Sequence, residues 1–265
     1  MGRKVGFCVV TLAAVLAARG DTVTLTPDKD TTLIQATAGN LSSGRGDSIY
    51  VGRTNSYGVR RPLIHFNLSA LPSSINVTSV SLRLTAQKAN GNRTIILHRV
   101  LQDWGEGASN STGGGGATAA ANDATWLYRF YNTTTPTSSP IWTTPGGSFN
   151  SAISGSGLCP GTAGNFTFSS SAQMIADIRA WLSDPSNNFG WELIGDESTT
   201  RTAAKVFSRD YATASVRPTL TITYTVPEPA SLLLLTGFSA LIASRRRIPR
   251  HNSEWRNRES RINAE

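Results

Sequence analysis

The 265-residue sequence predicts an all-β fold, a β-sandwich or jelly roll with one short helix, set between an N-terminal signal peptide and a C-terminal transmembrane sorting helix. Three observations predict it. Apolar and polar residues alternate with period two over short runs; the runs are parted by Gly, Asn, Ser and Pro turns; and no helices alternate with the strands, as a βαβ sheet would require. The stretch from Asp21 to Thr225 is about the length of one all-β domain.

Residues 1–20 read as a signal peptide. Arg3 and Lys4 form a positive start, Val5 to Ala18 an apolar run, and Ala18-Arg19-Gly20 a small-x-small site with cleavage before Asp21. The first strand is expected at Thr31 to Ala36 and the second at Asp47 to Gly52. In the third, Pro62 to Leu68, residues Ile64, Phe66 and Leu68 share one face. Val80, Leu82, Leu84 and Ala86 then alternate with Ser79, Ser81, Arg83 and Thr85, the pattern of a half-buried antiparallel strand. Ile95 to Val100 follows, and Leu220, Ile222 and Tyr224 alternate with threonines in a closing strand.

One helix interrupts the series. Ser170-Ser171-Ala172-Gln173 fits a capping box, and Met174, Ile175, Ile178, Trp181 and Leu182 fall at helical spacing before Asp184-Pro185. This stripe suits a cover over one end of the sandwich. Ser109 to Asn122, with four consecutive glycines at Gly113 to Gly116, reads as a flexible loop; it lacks the Gly-Lys-Ser/Thr ending of a phosphate cradle.

The net charge of +8 would suit nucleic acid if it lay on a folded face. It lies at the ends instead. Residues 21–225 hold 15 basic against 13 acidic residues, while Arg3, Lys4, Arg19 and the seven arginines after Val226 carry most of the excess. No nucleic-acid partner is therefore expected. Cys159 is the one cysteine of that span, so it has no intrachain disulfide partner there, and a lone thiol is expected buried and inert.

Val226-Pro227-Glu228-Pro229 opens the C-terminal segment, followed by the apolar run Ala230 to Ala243 with four consecutive leucines, and by Arg245-Arg246-Arg247. The run is shorter than the roughly 20 residues of an ordinary span, but its arginine stop and lack of charge suit a short membrane helix. Residues 226–247 resemble the PEP-CTERM sorting signal. The resemblance implies export to the cell envelope, surface or extracellular matrix, a membrane anchor before processing, and an exosortase-type membrane protease as partner. Such signals stop soon after the arginines. Here residues 248–265 continue as a polar, Arg-rich tail expected to be disordered.

The order Arg60-Arg61-Pro62-Leu63-Ile64-His65-Phe66-Asn67-Leu68, Val77 to Leu84, Asp103-Trp104-Gly105-Glu106, Ala124-Thr125-Trp126, Asn187 to Trp191, Ser208-Arg209-Asp210 and Arg217 to Tyr224 resembles the DNRLRE domain, also grouped as carbohydrate-binding module family 96. The resemblance implies a jelly-roll sandwich on secreted proteins, with some members binding acidic polysaccharide such as alginate. Residues 109–160 match it poorly.

Sugar recognition needs aromatic faces for the pyranose ring, and uronates add a demand for Arg or Lys. Trp104, Trp126, Trp142, Tyr57, Arg53, Arg60 and Arg129 are the candidate carbohydrate-binding residues; Trp126 could equally share a buried strand face with Tyr128 and Phe130. His65 and His98 lack a nucleophile motif beside them, and Asp103 with Glu106, or Asp196 with Glu197, are carboxylate pairs by sequence proximity alone. The expected protein is a non-enzymatic, polysaccharide-binding exported domain with no cofactor. A structural Ca²⁺ would suit its oxygen-rich loops, although no ligand set is assigned. A matrix protein that reads no sugar, and a polysaccharide lyase or hydrolase, are the alternatives.

Overall fold

In the computed structural model the described residues are 20–56 and 58–227. The chain divides into two units, Met1–Val226 and Pro227–Glu265, and the fold belongs to the first. Residues 1–19 of the expected signal peptide, the Glu228-Pro229 end of the sorting motif, the apolar run, the arginine triplet and the tail lie outside the described residues, as does Tyr57. Among the described residues no helix is long and apolar enough to cross a membrane.

The strands are β1 (Gly20–Leu25), β2 (Lys29–Ile34), β3 (Leu41–Ser42), β4 (Ser48–Arg53), β5 (Val59–His65), β6 (Asn76–Lys88), β7 (Arg93–Val100), β8 (Ala117–Thr118), β9 (Phe149–Cys159), β10 (Gly164–Phe168), β11 (Trp191–Ile194), β12 (Ala204–Phe207) and β13 (Thr219–Thr225), with helix α1 (Ala172–Ser183) between β10 and β11. They pair antiparallel in the order β1-β13-β6-β12-β4-β5-β11-β7-β9; β10 adds to β6, β2 adds to β5, and β3 pairs with β8 in a separate ribbon. The long sheet curls on itself at β4, which pairs with both β12 and β5. The result is a β-sandwich.

The alternation read from the sequence sets the interior. Ile49 and Val51 of β4, Val80, Leu82, Leu84 and Ala86 of β6, Leu97 of β7, Trp191 and Leu193 of β11, and Leu220 and Ile222 of β13 meet in the main core. Met174, Ile178 and Trp181 of α1 join them, so the helix closes the sandwich as its spacing predicts. Its cap sits one residue later than expected. Ser171 accepts from the Met174 backbone N–H, whereas the Ser170 hydroxyl accepts from Val80 N–H in β6, and Gln173 reaches forward to Asp177 rather than back to a cap.

The chain also makes strands where none was expected. β1 precedes the expected first strand and zips along β13 from Gly20↔Thr225 to Leu25↔Leu220. β9, within the 109–160 stretch that matches the DNRLRE pattern poorly, pairs along β7 from Arg93↔Cys159 to Val100↔Phe149. Its glycines are useful there: a Cβ on Gly155 would press on Met174 Sδ at 3.0 Å, and one on Gly157 on the Phe168 ring at 3.2 Å. Low strand propensity is overruled by close packing.

A second, smaller core lies outside the sandwich interior. Leu33, Leu63, Val100, Trp104, Ala124 and Trp142 form it, with Trp126 and Phe189 packed against it. Trp104, Ala124, Trp126 and Trp142 come from the segment between β7 and β9, which therefore acts as a cover over β2 and β5. The expected strand face of Trp126, Tyr128 and Phe130 does not form; only Tyr128 makes an isolated bridge, to Ile141. Cys159 is buried in the main core, and burial pushes its thiol up to about 11, in keeping with an inert thiol.

Candidate functional site

Two of the expected sugar platforms are structural. Trp104 is 1% exposed and Trp142 2% exposed, and each indole N–H is spent on a backbone carbonyl, Phe189 O at 2.9 Å and Thr125 O at 2.9 Å. Their rings fill the smaller core, because the cover buries the outer face of β2 and β5, so neither presents a face to a ligand. Trp126 is half-buried beneath the Arg61 guanidinium, 5.2 Å from its ring centroid.

The expected arginines are also placed. Arg60 is fully buried; its Nε donates to Gly114 O at 2.6 Å and its Nη1 to Val59 O at 2.7 Å, and burial lowers its guanidinium to about 10. It fastens the glycine loop rather than facing solvent. Arg53 donates to Glu197 O at 3.3 Å, and Arg129 to Ile141 O at 3.2 Å and Asp103 O at 3.1 Å. These residues do not converge on one site.

What does converge is a row across three neighbouring strands. Tyr50 of β4 stands opposite Lys205 of β12, and Lys205 stands opposite Lys88 of β6. A register shift between Lys205 and Val206 sets Lys88, instead of Gln87, in the row; a bulge re-aims one side chain in this way. Neighbouring strands lie about 4.8 Å apart. Two lysines thus face each other directly, an arrangement that costs stability unless an anion lies between them.

Loops complete the walls. Gly114 lies against the Tyr50 ring, where a Cβ would come within 3.1 Å of Cδ1, and Arg60 holds that loop by its carbonyl. Arg201 enters from the loop before β12 in left-handed backbone, φ 64°, its Nε donating to Asn55 Oδ1 at 3.1 Å and its carbonyl accepting from Asn90 at 3.3 Å. Together these residues line an open cleft of about 370 Å³. Lys88, Arg201 and Lys205 supply three cations, and the lining contains no Asp or Glu. Lys205 Nζ lies 6.0 Å from the Tyr50 ring centroid, and partial burial raises the Tyr50 hydroxyl above its ordinary range. The cleft offers an aromatic surface, amide groups and fixed positive charge, a set that suits an anionic sugar.

The acidic side chains gather elsewhere and are already engaged. Asp30, Glu106 and Asp210 bring carboxylate oxygens within 4.8 Å of one another. Arg209 answers them: it forks Glu106 at 2.6 and 2.9 Å, and its backbone N–H donates to Asp30 at 2.7 Å. Burial, reinforced by the neighbouring Glu106 and Asp210, pushes the Asp30 carboxyl up to about 8. Asp103 pairs with Lys29 at 3.2 Å, and Asp196 caps a turn through Ser198. His65 is held by Asp28 at 2.5 Å and His98 by the Asn150 carbonyl at 2.9 Å. The carboxylate pairs singled out for hydrolysis are parts of such networks.

Sequence reasoning missed Tyr50, Lys88, Arg201 and Lys205. A partial signal existed for Tyr50, since Ile49 and Val51 flank it and force it onto the opposite face. Nothing local marks Lys88, which the bulge brings into the row. No curated protein matches the chain. Residues 21–111, which hold Tyr50 and Lys88 but not Gly114, Arg201 or Lys205, match the family model of carbohydrate-binding module family 96, and over that span the chain is similar to a carbohydrate-binding module.

Proposed function

We propose that the protein is an exported, non-enzymatic carbohydrate-binding module whose ligand is an acidic polysaccharide held in the Tyr50–Lys205–Lys88 cleft. The observation that carries this is the cleft itself: three cations around a tyrosine ring, with no carboxylate in its lining. A uronate chain would place carboxylates between the two lysines and on Arg201, and lay a ring face against Tyr50. The match to a carbohydrate-binding module family over residues 21–111 supports the same class of partner. A jelly-roll path for the sandwich, retention at the envelope or matrix, a C-terminal membrane helix and removal of the tail by an exosortase-type protease complete the proposal.

Titration calorimetry of the protein with alginate, polygalacturonate and neutral dextran tests it. Binding to a polyuronate that weakens as salt screens the cleft, with no binding to dextran, is expected. Burial of Trp104 and Trp142 favours a second reading, a matrix protein that packs without reading sugar. Silence toward all three polymers, together with self-association, would select that one.

A further inference from the structure

The loop that carries Arg201 into the cleft is tied to a buried ionic group on the other sheet. Glu197, four residues earlier, is gripped at two points by Arg61 of β5: Nε to Oε1 at 2.7 Å and Nη2 to Oε2 at 2.9 Å. The third guanidinium nitrogen donates to Gly146 O at 3.0 Å and lies 3.6 Å from Glu192 Oε1 of β11. Thr202 closes the loop behind Arg201, its hydroxyl reaching Asp196 O at 2.5 Å while its N–H donates to Arg53 O at 2.9 Å. A bidentate fork of this kind fixes direction as well as position.

We propose that Arg61 is a positioning residue for the cleft: by forking Glu197 it fixes the 195–202 loop that delivers Arg201 to a bound anion, and Glu192 is the rival carboxylate for Arg61. This rests on the reading of the cleft as an anion site.

The geometry makes the rivalry specific. Glu192 is fully buried and neither carboxylate oxygen has a hydrogen-bond partner. Gly147, at φ 109°, lies so close above it that a Cβ there would collide with the carboxylate, which leaves no room for water on that side. The charged and titratable groups around it are Arg61 on β5, Glu197 on the following loop and His98 at the opposite position on β7; the 143–149 segment presents Gly146 and Gly147 backbone. Burial holds the Glu192 carboxyl well above the usual carboxylate range, with Glu197 adding to the rise and Arg61 opposing it. In its neutral form Glu192 leaves Arg61 to Glu197. Ionised, it repels Glu197 and draws Arg61 toward itself, and the loop loosens. Alkaline pH is thus expected to weaken the grip on Arg201.

Amide hydrogen exchange over 196–202 without ligand, and alginate affinity, are read on the full chain for Arg61→Lys, Glu192→Gln, Arg201→Ala and the Arg61→Lys/Arg201→Ala double variant. Arg61→Lys keeps the charge and loses the fork; it should speed loop exchange and weaken alginate about tenfold, yet add nothing to Arg201→Ala. Wild-type exchange in the loop should rise between neutral and alkaline pH more than intrinsic exchange does, and Glu192→Gln should abolish that excess. Unchanged exchange in Arg61→Lys, strictly additive losses in the double variant, or an alkaline excess that survives Glu192→Gln would each overturn the proposal. Should wild type bind no anionic polymer, the cleft reading fails by itself, while the exchange data still decide whether Arg61 and Glu192 govern the loop.

Discussion

The sandwich handles charge in two opposite ways. Beneath the 101–148 cover and at its margin, cations are matched to carboxylates: Arg61 to Glu197, with the buried Glu192 beside them, and Arg209 to Glu106, with Asp30 beside them. On the β6–β12–β4 surface, Lys88 and Lys205 face one another with no carboxylate in the cleft lining. Buried charges must be answered within the fold, because an uncompensated ion there costs several kcal/mol. Surface charges can be left unanswered at little cost, and are then available to a partner. Charge that stabilises and charge that binds are therefore expected to separate under mutation.

The largest break in that comparison comes from the covered side. Trp104→Ala removes the anchor of the smaller core and is expected to cost about 3–5 kcal/mol by chemical denaturation. A loss below ~1 kcal/mol would mean that the ring is not buried in solution. Arg209→Ala removes the guanidinium that forks Glu106, leaving that carboxylate beside Asp30 and Asp210, and is expected to cost about 3 kcal/mol, measured in the same way. Equal stability of the variant would show that the cluster is held by something other than this arginine.

Asp30 sharpens the comparison through pH. Its folded-state carboxyl sits at about 8 against an ordinary 3.8, so the native state holds this proton more tightly than the unfolded chain. Its contribution is complete below the unfolded value and is lost as pH rises from about 4 to about 8. The denaturation midpoint should therefore fall over that window, and Asp30→Asn should flatten the fall. A slope that the variant leaves intact would assign the effect to another group.

Smaller effects follow at the helix and the cleft. Ser171→Ala removes the cap of α1 and is expected to cost about 1 kcal/mol. Lys88→Ala/Lys205→Ala should leave stability unchanged or raise it by about 0.5 kcal/mol, since it relieves two like charges placed opposite one another. A marked loss of stability in that double variant would mean that the lysines are structural, and the contrast between the two surfaces would fail.

The sequence made the sandwich interior legible wherever alternation was clean. Val80 to Ala86 and Leu220 to Tyr224 lie in paired strands as expected, and α1 spans the expected apolar stripe. β9 was hidden because Gly155 and Gly157 carry no strand signal alone; their role appears only when Met174 and Phe168 press on them. The tryptophans were legible as sugar platforms or as core, and only the fold of the cover decides for burial at 104 and 142. Arg60 was marked as a cation for a uronate, yet it supports the cleft from behind through Gly114. The cleft residues come from β4, β6 and β12, far apart in sequence, with a bulge setting the register. Local pattern does not report such a juxtaposition.

The central claim is that Lys88 and Lys205 are there for a ligand. Alginate titration calorimetry of wild type against Lys88→Ala/Lys205→Ala, at matched stability and low ionic strength, tests it most directly. At least tenfold weaker binding by the double variant, with the wild-type advantage shrinking as salt is added, is the predicted result. Equal affinity of the two proteins would contradict it.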